Sequence, residues 1–268
     1  MSESPIIVVK IGGSTLGSHD TTLEDLVALQ SEGWRPAVVH GGGATISEWL
    51  NSIQETPTRF VRGLRATDAE SLRVVVAVLA GLINKELVAA ISALGGRAVG
   101  LSGADGGLIR VRQLDPDLGY VGQIERVDSD MLIRLFEAGY VPVIAPVGIL
   151  WENQRLQNQM LNINADTVAG EVAFALAARW LVFLTDVAGV SGSDGSSVAH
   201  LSGQEAAALI DQETVSGGMI PKVEACLRAC EGATRTAIID GRQPHALLAA
   251  VQQGRFVGTT IDAGEEGS

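Results

Sequence analysis

The chain is short of several things, and each shortage excludes something. It holds 2 cysteines, 4% aromatic residues, and 19 Lys plus Arg against 31 Asp plus Glu. Cys226 and Cys230 fall one helical turn apart in VEACLRAC. They read as two small buried hydrophobes in a reducing compartment rather than as a redox pair or half a metal site. A net charge of −12 leaves no basic footprint, so nucleic acid is not an expected partner. The start, MSESPIIVVK, has neither a basic n-region nor a cleavage site, so it does not read as a signal peptide. No apolar run reaches the length needed to cross a bilayer, so no membrane partner is expected and the cytoplasm is the expected location. No His/Cys cluster has zinc spacing, and no protein-held metal is expected. The P-loop pattern GxxxxGK followed by Ser or Thr is missing, which excludes a Walker-type enzyme.

What is abundant is aliphatic: 46% of residues are hydrophobic, and Ala, Val, Leu, Ile and Gly dominate, as suits buried parallel strands covered by helices. Apolar runs bounded by glycines alternate with helix-period stretches, the signature of βαβ units. Residues 5–11, 37–40, RAVGLSG, VPVIAPVG, WLVFLTDV and TRTAIID read as strands. Helices are expected over 23–31, 45–53, 67–94, 128–138, 165–178, 219–231 and 245–252. Thr21 with Glu24, Thr67 with Glu70, and Ser202 with Glu205 have capping-box spacing. LIRVRQL to Gly122 reads as a hairpin-like excursion, and GVSGSDGSS as a surface hairpin. The alternation predicts a doubly wound, mostly parallel α/β sheet with helices on both faces. Ligands in such sheets bind beyond the carboxyl ends of the strands, where Gly12, Gly41 and Asp186 fall.

Three segments carry the chemistry. Lys10 ends an apolar strand before a glycine turn (KIGGS), His40 to Gly43 form a triglycine turn, and Lys222 follows two glycines in GGMIPK. Glycine lets backbone curl tightly around a ligand, successive amides can form an anion nest, and lysine is a compact cationic donor. Two glycine-flanked lysines far apart in sequence suggest a phosphate held from both sides, hence phosphoryl transfer. HGGG also occurs as a hydrolase oxyanion segment, but no serine sits in G-x-S-x-G, which that chemistry needs. His40 is open to either a structural or a catalytic role. In LNINAD, three polar groups crowd one helix start, more than capping requires; Asp166 on the first turn could hold two ammonium groups. Gly217, Gly218 and Lys222 open another helix, where dipole and lysine act on one anion.

Together VVKIGGS, VVHGGG, FVRGLRATD, NKELV, VGLSGADGGLI, LNINADTVAGEVAFAL, LVFLTDVAGV, GGMIPKV and GTTI resemble the amino acid kinase family in order along the whole chain. Within it they are most similar to the N-acetylglutamate kinases. The resemblance implies transfer of the ATP γ-phosphoryl group to the side-chain carboxylate of N-acetyl-glutamate, with Mg2+ bridging the ATP phosphates. It implies that Lys10 and Lys222 meet the phosphoryl oxygens, that Asp166 orients both, and that Gly12, Gly13 and Gly42 donate backbone hydrogen bonds. Gly42, Gly43, Arg65 and Asn162 would hold the acylated amino acid, with Arg65 suited to its α-carboxylate. Thr185, Asp186, Val187 and Gly189, with Gly217, Gly218 and Lys222, would line the nucleotide pocket. Residues 1–175 would form an acceptor-binding and dimerising lobe and 176–268 a nucleotide-binding lobe. Ala44-Thr45 departs from the Pro-acidic pair common after HGGG. Two alternatives stand beside this reading: a sister kinase acting on aminoadipate or carrier-linked glutamate, and a non-catalytic nucleotide-binding regulator. Arginine-inhibited members carry an extra N-terminal helix, whereas here only Met1 to Ser4 precede the first strand. The expectation is therefore a homodimer, insensitive to arginine, joined through the helix of residues 67–94.

Overall fold

Residues 4–12, 21–53, 59–61, 63–192 and 195–264 are described by a computed structural model. In chain order the strands are β1 (Ile6–Ile11), β2 (Arg35–His40), β3 (Phe60–Val61), β4 (Leu64–Arg65), β5 (Ala98–Ser102), β6 (Ile109–Gln113) and β7 (Gly122–Val127). There follow β8 (Val141–Ala145), β9 (Val147–Glu152), β10 (Arg155–Asn162), β11 (Trp180–Thr185), β12 (His200–Ser202), β13 (Arg235–Asp240) and β14 (Gly258–Asp262). The helices are α1 (Thr22–Ser31), α2 (Gly43–Ile53), α3 (Ala69–Val76), α4 (Asn84–Ala93), α5 (Ser129–Glu137), α6 (Ala165–Ala175), α7 (Gly203–Asp211), α8 (Ile220–Cys230) and α9 (Ala246–Gln253).

The apolar runs lie side by side in an eight-stranded sheet, order β12-β14-β13-β11-β1-β2-β8-β5. Every neighbouring pair is parallel except β13 with β14. Because strand side chains alternate between faces, the sheet feeds two cores. Val8, Ala37, Val39, Leu181 and Phe183 pack with α5, α6 and α8 on one side. Ile7, Val9, Ile11, Val38, Val182 and Leu184 pack with α1, α2, α3, α4 and α9 on the other. That parity decides the site. Lys10 shares the parity of Val8 and so leaves the sheet on the α6/α8 side, whereas His40 shares that of Val38 and faces α4.

The expected excursion is a real antiparallel pair, β6 with β7, but it belongs to a second sheet, order β10-β9-β6-β7, that the sequence did not announce. β10 carries little strand signal, because RLQNQMLN is polar at most positions and only Leu161 is buried. Two capping boxes need correction. Thr21 makes no side-chain cap to α1; its Oγ1 instead accepts from the His245 amide at 2.6 Å, tying α1 to α9. At α3 the cap is Asp68, which accepts from the Ser71 amide at 2.7 Å, while Thr67 is spent elsewhere. The third box, Ser202 with Glu205, forms as expected.

The expectation about apolar length is also corrected. α3, a π-helical segment Ala77–Ile83 and α4 form one continuous element, Ala69–Ala93, of 25 residues with a hydropathy of 2.1 in its most apolar window. By length and composition it could cross a bilayer. Lys85 and Glu86 interrupt the apolar letters, but helix geometry carries the element past them. Its residues Val75, Val78, Leu79, Ile83, Leu87 and Ile91 are buried in the core, yet only 39% of that window is buried overall.

Candidate active site

At the carboxyl ends of β1, β2 and β11 the backbone leaves the sheet together, with Ile11 in register with His40 and with Leu184. Gly12 donates to Leu184 O at 3.3 Å and Gly41 to Ile11 O at 3.1 Å, so the two turns start from fixed points. Gly13, also expected here, lies outside the described residues.

Above this edge stand the two lysines. Lys10 Nζ is 2.7 Å from Asp166 Oδ1, and Lys222 Nζ is 3.0 Å from Asp166 Oδ2. The Lys10 contact is a charge pair rather than a directed hydrogen bond, because Oδ1 has no partner with hydrogen-bond angles. The side chains of Lys10, Asp166 and Lys222 are 9%, 8% and 16% exposed. Two ammonium groups and one carboxylate leave one net positive charge in a nearly dry site, where electrostatic interactions are strengthened. Asp166 owes its position to Asn164, the N-cap of α6, whose side chain accepts from the amides of Asp166 at 2.8 Å and Thr167 at 3.2 Å. Lys222 sits on the first turn of α8 and also donates to Gly218 O at 3.0 Å.

A cavity of roughly 210 Å3 brings together Lys10, Gly42, Gly43, Arg65, Asn162 and Asp166. That is smaller than the ~300–1,000 Å3 typical of drug-sized ligands, a fit for a small metabolite. Gly42 and Gly43 open α2, so their amides belong to a helix N-terminus, a ready anion site. Arg65 ends β4, is 7% exposed, and donates through Nη2 to Gly43 O at 3.0 Å and Ser47 Oγ at 2.8 Å. It lies 4.7 Å from the Phe60 ring centre. Burial lowers its pKa from the usual guanidinium value. Asn162 ends β10 and donates to Thr67 Oγ1 at 3.1 Å, and Thr67 in turn donates to Arg65 O at 2.8 Å. One chain of bonds therefore joins Arg65 and Asn162, two of the four expected acceptor-side residues.

The expected nucleotide-side residues are dispersed. Gly217 lines a neighbouring cavity of roughly 540 Å3 that shares Gly63, Leu64, Ile163 and Asn164 with the first. Thr185 ends β11, and Asp186 and Val187 follow it; Thr185 donates to Asp186 Oδ1 at 3.3 Å, and Val187 is exposed. Gly189 packs on β14, with Val190 N donating to Thr259 Oγ1 at 2.8 Å. None of these four lines the cavity holding Lys10.

The sequence matches the amino acid kinase family over residues 5–240. The chain belongs to the amino acid kinase family. It is 43% identical over 261 residues to an acetylglutamate kinase of Dehalococcoides mccartyi strain BAV1, covering 97% of this chain and 95% of that one. It is 44% identical over 266 residues to the acetylglutamate kinase of Porphyra purpurea, covering 96% and 92%. Among solved structures it is similar to smu.665 of Streptococcus mutans UA159, with a TM-score of 0.82 and 28% identity over 97% of this chain and 99% of that one.

Three buried polar residues, Thr67, Asn84 and His40, support the site of this amino acid kinase. Thr67, whose spacing to Glu70 is that of a cap, instead links Arg65 to Asn162. Asn84 sits inside a helical pattern, and its complete burial signals obligatory partners. The partners of His40 lie on α4 and in the triglycine turn. Cys226 and Cys230 are free and buried, as expected. Burial pushes the Cys226 thiol far up and that of Cys230 to about 11, which disfavours the thiolate of each.

Proposed function

We propose that this chain catalyses ATP-dependent phosphorylation of the side-chain carboxylate of N-acetyl-L-glutamate, giving the acyl phosphate used in arginine synthesis. The observation that carries the reading is the Lys10–Asp166–Lys222 array, whose Lys10 and Asp166 line a small cavity together with Arg65 and Asn162. Its relatives named acetylglutamate kinase, matched along nearly their whole length, support the same acceptor.

In this reading a carboxylate oxygen of the acceptor attacks the γ-phosphorus, and the bond to the β–γ bridging oxygen breaks, leaving ADP. Little covalent work falls to the protein, so positioning and charge neutralisation dominate. Lys10 and Lys222 meet oxygens of the moving phosphoryl group, and Asp166 holds the two ammonium groups at a fixed separation. Gly42 supplies an amide and Gly12, whose own N–H goes to Leu184 O, anchors the turn after β1, while Arg65, Gly43 and Asn162 hold the acceptor. Mg2+ arrives on the ATP phosphates as part of the substrate. The acceptor side draws on residues 1–175, and the nucleotide meets residues 176–268 through Thr185, Asp186, Val187, Gly189, Gly217 and Gly218. The assembly is a homodimer.

The test is ADP release together with hydroxylamine trapping of acyl phosphate, run across glutamate, N-acetyl-glutamate, N-acetyl-aspartate and aminoadipate derivatives. Hydroxamate is expected with N-acetyl-glutamate well above the rest. Faster turnover of an aminoadipate derivative would transfer the site to the sister reaction, and no hydroxamate with any acceptor would favour a regulator.

A further inference from the structure

His40 is fully buried at the end of β2. Its Nδ1 lies 3.0 Å from Gly41 O, and its Nε2 lies 3.2 Å from Asn84 Nδ2. The orientation of the Asn84 amide is fixed independently. Its Nδ2 donates to Val143 O at 2.9 Å, while its Oδ1 accepts from Lys85 Nζ at 3.0 Å. Flipping the amide would set oxygen against a carbonyl and NH2 against an ammonium group. Asn84 therefore donates to Nε2, which must be bare, and Nδ1 must carry the proton that Gly41 O accepts. Burial, with Lys10 and Lys85 nearby, pushes the ring's pKa down to about 4, so the imidazole is neutral near pH 7 and this one tautomer satisfies both contacts.

The consequence passes through one peptide plane. The Gly41 carbonyl and the Gly42 amide belong to the same planar unit and point in opposite directions. With Gly41 O drawn to His40 and Gly41 N held by Ile11 O at 3.1 Å, the direction of the Gly42 N–H is set. That amide makes no hydrogen bond among the described residues, and Gly42 lines the cavity with Lys10 and Asp166. The far side of Gly42 is closed. A Cβ there would meet Ile83 Cδ1 at 2.5 Å and Leu79 Cδ2 at 2.7 Å, so any larger residue would have to displace the ends of those two side chains.

We propose that His40 is a positioning residue: its Nδ1–H, selected by Asn84, holds the Gly41–Gly42 peptide so that the Gly42 amide meets the transferring phosphoryl group. This rests on the kinase reading above.

Nitrogen-15 NMR of the imidazole ring in the wild-type protein without substrate reads the tautomer directly, and the Nδ1–H form is expected at neutral pH. Kinetics of H40N, H40Q and H40L, each with its melting temperature, read the consequence. Asparagine places a donor amide near the position of Nδ1, whereas glutamine reaches the position of Nε2 and leucine offers no donor. Turnover should fall on the order of 10²-fold in H40Q and H40L, the scale of a small misplacement of a catalytic group. It should recover largely in H40N, with KM for ATP unchanged throughout. An Nε2–H ring, turnover that follows melting temperature instead of the donor, or equal losses in H40N and H40L would overturn the assignment. A wrong tautomer counts against His40 alone, and a wild type that makes no acyl phosphate counts against the kinase reading alone.

Discussion

At the scale of single residues, the two lysines are not interchangeable with neutral side chains. Lys10→Ala or Lys222→Ala removes a preorganised donor and leaves Asp166 with one partner. Turnover should drop by about 10²–10³, the usual cost of losing one such donor, with near-native circular dichroism. Wild-type turnover in either variant would remove that residue from the mechanism. For Arg65 the expected effect lies in binding. Arg65→Lys cannot reproduce the planar fork that reaches both a carboxylate and Gly43 O, so KM should rise for the acceptor and hold for ATP. The reverse pattern would move Arg65 to the nucleotide side. His40 also carries a stability consequence. Its folded pKa of about 4 is below the unfolded value of 6.5. The unfolded chain therefore takes up a proton first as pH falls. Its contribution is fully present above pH 6.5 and is lost progressively toward pH 4, amounting to about 3 kcal/mol. His245 is shifted the opposite way by Asp25, but it is common to wild type and H40N and cancels in their difference. Denaturation of both between pH 4 and 7 should show a larger acid loss in the wild type, the difference being the share of His40.

At the scale of elements, α6 and α8 carry Asp166 and Lys222, and their separation is set by Gly170. A Cβ there would stand 2.7 Å from Ala225 O and 2.9 Å from Ala225 Cα, backbone that cannot move aside. Farther along, Glu171 takes a forked pair from Arg228 at 2.9 and 3.2 Å, and the guanidinium stacks 3.6 Å over Phe174. Gly170→Ala should cost about 1–3 kcal/mol, as overpacking does, and should reduce turnover by parting the Asp166–Lys222 bond. Chemical denaturation and kinetics on the same preparation would measure both, and unchanged values would show that the helices yield without harm. The same pair of helices shows what the sequence could tell. Their existence, the strands beneath them and the residues on their first turns were readable, because apolar period and glycine boundaries are local signals. The spacing that Gly170 imposes was not, since it depends on which helix becomes its neighbour. Thr67 failed for a related reason. Asp68 also has a capping side chain, and only the long-range demand of Asn162 decides between them. β10 carried too little apolar pattern to be seen, and so the second sheet stayed hidden.

At the scale of the whole molecule, one element has surface left over. The helix Ala69–Ala93 buries Val75, Val78, Leu79 and Ile83 in its own core, while Ala77 and Gly81 are exposed and Val76, Ala80 and Leu82 half-buried. Small residues permit close approach, and a contiguous apolar face on a monomer marks an interaction surface. Two copies meeting through one such face would form a closed, self-complementary pair. The proposed dimer therefore predicts that the wild type sediments as a dimer and that Ala77→Glu, which buries a charge at the seam, sediments as a monomer. Because Leu79 and Ile83 of this segment also back Gly42, loosening the seam should reach the triglycine turn. Ala77→Glu should lower turnover while leaving KM for ATP in place. A wild type that sediments as a monomer, or a monomeric variant with undiminished turnover, would uncouple this helix from assembly or from the site respectively.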